Sequence, residues 1–267
     1  MSSTALLFSR LGQNKNFWIA TGLILWLYFA ISHIPAIWGA FFMTKAGNLA
    51  MTGVNGTIWS GSASLVSVKV KQIDYSVGQL NWKLEPLSLL TLKPCAKLNT
   101  QMDNQQFEGR VCVGSKGAIT VSEATVSFPA ILLKDQLPIQ IDGQFSLSIN
   151  QLSMQANRLE KLNAKLGWMG AKVFNGSNWM TLGGFGADLN DDGKAGLKAH
   201  VVDVNSPVHI DAALMLVAPA GGNLKGTMTM SEAFVRENNA SAWLSLFAVQ
   251  GTPDAQGNIP FTLDMNL

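Results

Sequence analysis

The sequence predicts a mainly β protein, in which one N-terminal transmembrane helix precedes an antiparallel, twisted or curved β-sheet domain with one or two short helices. Three observations carry that prediction. Phe17 to Met43 is a run of twenty-seven residues without one Asp, Glu, Lys or Arg. Beyond it, apolar and polar residues alternate in stretch after stretch. Charged residues make up 13% of the chain, against about 25% in ordinary soluble domains, and 25 residues are Gly. This is the composition of a β-rich envelope protein.

The apolar run divides the chain into a tail (1–16), an anchor (17–43) and an exported β-rich domain (44–267). About 20 apolar residues at 1.5 Å per residue cross the hydrocarbon layer, so the run is long enough to span with some tilt. Trp18, Trp26, Tyr28 and Trp38 suit the membrane interfaces, and Arg10 and Lys15 hold the tail in the cytoplasm by the positive-inside bias. A cleaved signal peptide fits less well, because its apolar region is shorter and ends in small residues, whereas this run ends in Trp38, Phe41, Phe42 and Met43. His33 has no charged partner in the run, which favours packing or an interfacial position over a proton-handling role. Pro35 is expected to kink the helix or begin its exit.

After the anchor, Val66, Val68 and Val70 alternate with Ser67, Lys69 and Lys71. Ile139, Ile141, Gly143, Phe145, Leu147 and Ile149 share a second face, Leu197, Ala199 and Val201 a third, Val208 to Leu216 a fourth, and Ile259 to Leu267 a fifth. Such one-sided patterns indicate antiparallel sheet with a single apolar face. Turn signals fall at Asp103-Asn104, Asp191-Asp192-Gly193 and Gly221-Gly222-Asn223. Helix is expected from Ser241 to about Val249, with Leu244, Phe247 and Ala248 on one face, and more weakly from Pro129 to Lys134. Leu80-Asn81-Trp82-Lys83-Leu84 resembles Leu162-Asn163-Ala164-Lys165-Leu166, a match too short to establish a repeat.

Cys95 and Cys112 are the two cysteines. In an exported compartment such a pair indicates a disulfide, and the hairpin register supports it. A two-residue turn at Asp103-Asn104 makes cross-strand partners sum to 207, which places Cys95 opposite Cys112 at a non-hydrogen-bonded site.

Other chemistry finds little support. Net charge is +2 and no basic stripe suits nucleic acid. Asp188-Leu189-Asn190-Asp191-Asp192-Gly193 opens like a calcium loop, but its twelfth position is Ala199 instead of the required Glu, so a polar hairpin turn is the better account. His200 and His209 could approach across a hairpin, yet no third nitrogen or sulfur ligand accompanies them for zinc. Gly183-Gly184-Phe185-Gly186 does not continue into a dinucleotide fingerprint, and no nucleophile motif occurs. The Asn-x-Ser/Thr triplets at Asn55, Asn175 and Asn239 would matter in a eukaryotic secreted chain. Trp59, Trp82, Trp168, Trp179 and Trp243 are expected as core anchors. No catalytic residue, cofactor or metal is expected.

One block has its own character. Gly53-Val54-Asn55-Gly56-Thr57-Ile58-Trp59-Ser60-Gly61-Ser62-Ala63 is followed by Leu80-Asn81-Trp82-Lys83-Leu84-Glu85-Pro86-Leu87-Ser88-Leu89-Leu90. Glycines permit close backbone approach beside a Trp, and Pro86 ends a strand. Together with an anchor that ends in Pro35, Ala36 and Trp38, the sequence resembles the general secretion pathway protein N family, the type II secretion system protein N. The likeness covers most of the chain in layout and about thirty residues in motif, with Gly56, Thr57, Trp59, Gly61, Trp82 and Pro86 as structural positions. It implies a non-enzymatic accessory subunit, single-pass in the inner membrane of a Gram-negative bacterium, with its C-terminal domain in the periplasm. Such a subunit supports export of folded proteins across the outer membrane by contacting other inner-membrane subunits. The family's periplasmic region is similar to AsmA-like sheets, so the alternative implied function is an envelope protein that handles lipid on an apolar sheet face.

Overall fold

The computed structural model describes residues 15–266 apart from 46, 71–72, 135–136, 138, 157, 218–220 and 246–247. The chain divides into two compact units, the first ending at Leu84 and the second beginning at Glu85.

In the first unit the apolar run forms two helices instead of one continuous span. Helix α1 covers Lys15–Ser32 and α2 covers Ala36–Thr44. Pro35 sits between them with φ −62° and ψ 142°, an extended conformation, and its ring removes the N–H that a continuous helix would need. Helix α1 is long and apolar enough to cross a membrane, and none of its residues is buried. Arg10, half of the charge bias expected at the cytoplasmic end, lies outside the described residues. Four strands follow: β1 (Leu49–Thr52), β2 (Asn55–Gly56), β3 (Ser60–Val70) and β4 (Ile73–Leu84). Strand β3 pairs antiparallel with each of the other three. Its Ala63 and Val66 are buried while Lys69 is exposed.

The second unit is an antiparallel meander. It runs through β5 (Cys95–Met102), β6 (Gln105–Val113), β7 (Ile119–Pro129), β8 (Ile141–Gln155), β9 (Arg158–Phe174), β10 (Trp179–Asp191), β11 (Leu197–Val204), β12 (Val208–Val217) and β13 (Gly221–Ser231). Each of these strands pairs with the next; β15 (Asn258–Asn266) then pairs with β13, and β14 (Ala248–Gln250) lies outside β15. The period-2 patterns become burial patterns. Ile141 and Ile149 are buried while Asp142, Ser146, Ser148 and Asn150 are exposed, and Ile259, Phe261 and Leu263 are buried while Thr262 and Asp264 are exposed. Gly143 sits at a register shift with φ 117°, where a Cβ would come within 2.7 Å of the Met169 carbonyl oxygen. A bulge thus explains the lone glycine in that alternating run.

Short helices cover the apolar face at intervals. A 3₁₀ turn at Ala130–Leu133, where a short helix was expected, packs with Ile141, Val173 and Met180. Helices α4 (Glu232–Glu237) and α5 (Ala240–Leu244) place Val235, Ala240 and Leu244 against Val208, Ala212, Met230 and Phe261. The helix expected from Ser241 to Val249 is shorter: it ends at Leu244, and Ala248 and Val249 belong to β14. Phe247 lies outside the described residues. The glycines expected as a turn at 221–223 open β13, with Val217 paired to Gly221, and the residues joining β12 to β13 lie outside the described set. The two similar pentapeptides fall at the end of β4 and in the middle of β9.

At the start of the second unit, Asp103 and Asn104 turn β5 into β6, Cys95 lies opposite Cys112, and the sulfurs are bonded at 2.09 Å with the Cα atoms 4.0 Å apart. Beside this hairpin Glu85 accepts from Arg110, Nη2 to Oε2 at 2.7 Å and Nε to Oε1 at 3.0 Å. That hydrogen bonding holds the Glu85 carboxyl below its ordinary value of 4.5. Replacing Cys112 with Ser is expected to lower the second unit's stability by about 3 kcal/mol, the loop-closure value for a ring of similar size. Chemical denaturation of the detergent-solubilised chain, followed by circular dichroism, reads this change, and an unmoved midpoint refutes it. A depressed carboxyl contributes stability above its unfolded value and loses that contribution as pH falls through the folded one. The melting difference between the native chain and Glu85→Gln should therefore be present at pH 7 and vanish as pH falls well below 4.5. A difference that persists at pH 2 would contradict this linkage.

Candidate functional site

The Gly-Thr-Ile-Trp block of the first unit closes on the end of α1. The last four carbonyls of any helix lack partners within it. Here the Trp59 indole N–H donates to the Ile31 carbonyl at 2.8 Å, and the Ile58 N–H donates to the Ile34 carbonyl at 3.0 Å. Ser32 Oγ donates to the Phe29 carbonyl at 3.1 Å, and His33 Nδ1 lies 2.9 Å from the same oxygen. His33 is thus bound locally to the helix end. Thr57 bridges to Pro35 and donates its N–H to the Ser60 carbonyl at 2.9 Å.

A second layer holds this collar in place. The Trp82 indole donates to the Ile58 carbonyl at 3.2 Å. Gly61 lies directly opposite Trp82 across β3 and β4, where a Cβ would overlap the indole ring and come within 2.6 Å of the Asn55 carbonyl oxygen. Gly56 has φ 91°, which a side chain would strain. The structure therefore brings Gly56, Thr57, Trp59, Gly61 and Trp82 together at the C-terminal end of α1. Pro86 is placed elsewhere, as the first residue of the short helix α3 (Pro86–Leu90) in the second unit.

The second unit carries an apolar pocket on the same sheet face that α4 helps to cover. Its volume is about 290 Å³, close to the lower end for small-molecule sites, and thirteen residues from Phe145 to Phe234 line it. Phe145, Leu166, Trp168, Phe185, Ala187 and Val201 form one part of the wall; Ile210, Met228 and Phe234 form another. A row of aromatic rings runs into it. Phe128, Phe145, Trp168 and Phe185 are direct cross-strand neighbours on β7 to β10, with centroids 5.5, 5.3 and 5.9 Å apart. The Trp168 N–H donates to the Asp142 carbonyl at 3.1 Å, so its polar edge is satisfied and its ring face is left to apolar partners. Such a wall can take alkyl or aromatic groups and offers nothing to a charge. Sequence reasoning found Trp168 as a core anchor but not the row, because three register shifts in β8 to β9 decide which rings face each other.

The polar candidates separate. His200 Nε2 lies 2.8 Å from Asp211 Oδ1, and His209 Nδ1 lies 3.0 Å from Asp203 Oδ2. The register sets His200 opposite Ala213 and His209 opposite Thr229, so the two rings do not converge. Burial raises the Asp203 carboxyl, but the Ile210 N–H and His209 outweigh it and the net direction is downward. In the Asp191–Gly193 turn, Asp192 Oδ1 accepts the N–H groups of Lys194 and Gly196, which lower its carboxyl, and Asp191 Oδ1 accepts that of Gly193. These carboxylates are used in holding the turn. Among the described residues no group of three or more His, Cys, Asp or Glu is placed to hold a metal.

Comparison with known proteins finds a family and two relatives. The family model described as Type II secretion system (T2SS), protein N matches residues 47–262. The chain is 27% identical over 168 residues to the type II secretion system protein N of Aeromonas hydrophila, covering 60% of this chain and 65% of that one. It is 25% identical over 150 residues to the protein of the same name in Vibrio cholerae serotype O1, covering 54% and 58%. The matches thus span a little under two thirds of those relatives' lengths. No solved structure matches significantly. Since the family model covers most of the sequence, the chain belongs to the type II secretion system protein N family.

Proposed function

We propose that the chain is an accessory inner-membrane subunit of the type II secretion system. In this reading α1 crosses the inner membrane with the tail in the cytoplasm and the β-rich units in the periplasm. There they support export of folded proteins across the outer membrane through contacts with other inner-membrane subunits. The observation that carries the reading is the family match over 47–262, downstream of a helix apolar enough to span. A binding role also suits the chemistry, since Glu85 is engaged in an ion pair and Asp191, Asp192 and Asp203 accept hydrogen bonds from backbone N–H groups. Extraction of the tagged full chain in mild detergent is expected to recover other inner-membrane secretion subunits. Recovery of none, together with normal secretion in a strain lacking the chain, would overturn the reading.

The apolar pocket favours a second reading, an envelope protein that handles lipid on its sheet face. Its wall of about 290 Å³ is lined by hydrocarbon, aromatic and thioether side chains and glycine. Ala187→Trp would fill the space beside Phe185. If the pocket holds acyl chains, organic extraction and mass spectrometry should find phospholipid with the native chain and several-fold less with the variant. Equal lipid in both would reject this reading and leave the first intact.

A further inference from the structure

The geometry points to α2 as an interfacial helix, lying in the outer surface of the same bilayer that α1 crosses and fixing the first hairpin to the membrane. This inference rests on the reading of α1 as a membrane span. Helix α1 has 18 residues, about 27 Å at 1.5 Å per residue, which brings its C-terminal end close to the far edge of the hydrocarbon layer. The break at His33–Pro35 therefore falls at the interface, where water and headgroups can satisfy a non-helical backbone. Trp59 and Ile58 tie that break to β3, so α2 begins beside the sheet and at the membrane surface together.

The two sides of α2 differ by size more than by polarity. Its inner face is small: Ala36 and Ala40 are buried, and Gly39 faces Ile58, with 3.6 Å between a Cβ built there and Ile58 Cγ2. Its outer face is large and apolar: Ile37, Trp38, Phe41, Phe42 and Met43 are each 59–67% exposed. A nine-residue helix that leaves five such side chains uncovered needs an apolar partner. The next charged residue after Lys15 is Lys45, in the turn that ends α2, where a long basic side chain can reach headgroup phosphates. An aromatic-rich face and a terminal Lys, joined by three residues to a membrane span, match the interface of a bilayer more closely than an aqueous surface.

The test uses the full chain in phospholipid nanodiscs without reductant, so that Cys95 and Cys112 stay paired. Nitroxides are placed singly at Trp38→Cys and Phe42→Cys, and at Leu25→Cys within α1. Collision with oxygen and with a water-soluble nickel chelate gives the depth of each label. The proposal expects the labels at 38 and 42 to share one shallow depth and the label at 25 to lie deep. A depth that changes by about 6 Å between 38 and 42, the rise of four residues along a span, would overturn it. So would free access of the chelate to both, or shielding from both reagents by a protein partner or second copy. A label at 25 open to the chelate would show instead that α1 does not span. Should Trp38→Cys misfold, Ile37→Cys on the same exposed face replaces it.

Discussion

The constraint on which the rest of this structure depends is that an antiparallel sheet with one apolar face must have that face covered. Side chains alternate across each strand, so the same pairing that satisfies the backbone collects Ile141, Ile149, Val208, Ala212, Phe261 and Leu263 on one side. Short elements do the covering. The 3₁₀ turn at Ala130–Leu133 seals one region, and α4 and α5 seal another. Between them, among the described residues, large rings of the sheet and Phe234 of α4 border the pocket beside Phe145, Trp168 and Phe185. The pocket is thus a consequence of where the covering helices stop.

In the first unit a different requirement dominates. The last carbonyls of a helix have no partners within it, and a loop about twenty-five residues further on supplies a donor to one of them and another to the linker just beyond the helix. Trp59 and Ile58 reach the Ile31 and Ile34 carbonyls, while Trp82 and Gly61 hold that loop against the sheet. This gives the Gly-Thr-x-Trp-Ser-Gly signature a physical content. Gly61 leaves room for the Trp82 indole, Gly56 takes a positive φ, and Trp59 donates a hydrogen bond, so the motif joins a helix to a sheet.

Legibility differed from element to element for identifiable reasons. The Cys95–Cys112 pairing could be reached by counting because a two-residue turn admits one register. Helix α4 was missed although its signals were present: Ser231 caps it by accepting the Phe234 N–H at 3.2 Å, with Glu232 in the first turn and Arg236 in the last. The longer helix expected from Ser241 failed because Ala248 and Val249 serve equally well in an edge strand, which only β15 could decide. The two histidines looked like possible partners because they are near in sequence on neighbouring strands, yet the register of β11 with β12 and of β12 with β13 gave each its own aspartate.

The sequence by itself determined the classes of element: an uncharged run too apolar for water, strands with one apolar side, a closed hairpin and a family signature. These are local properties, fixed by composition, period and turn chemistry. Tertiary structure alone decided that the two helices flanking Pro35 have different surroundings, that the signature grips the end of α1, and that four aromatic rings align across four strands. Each of those depends on bulges and long-range donors, whose positions follow from how neighbouring segments pack and leave no period in the chain.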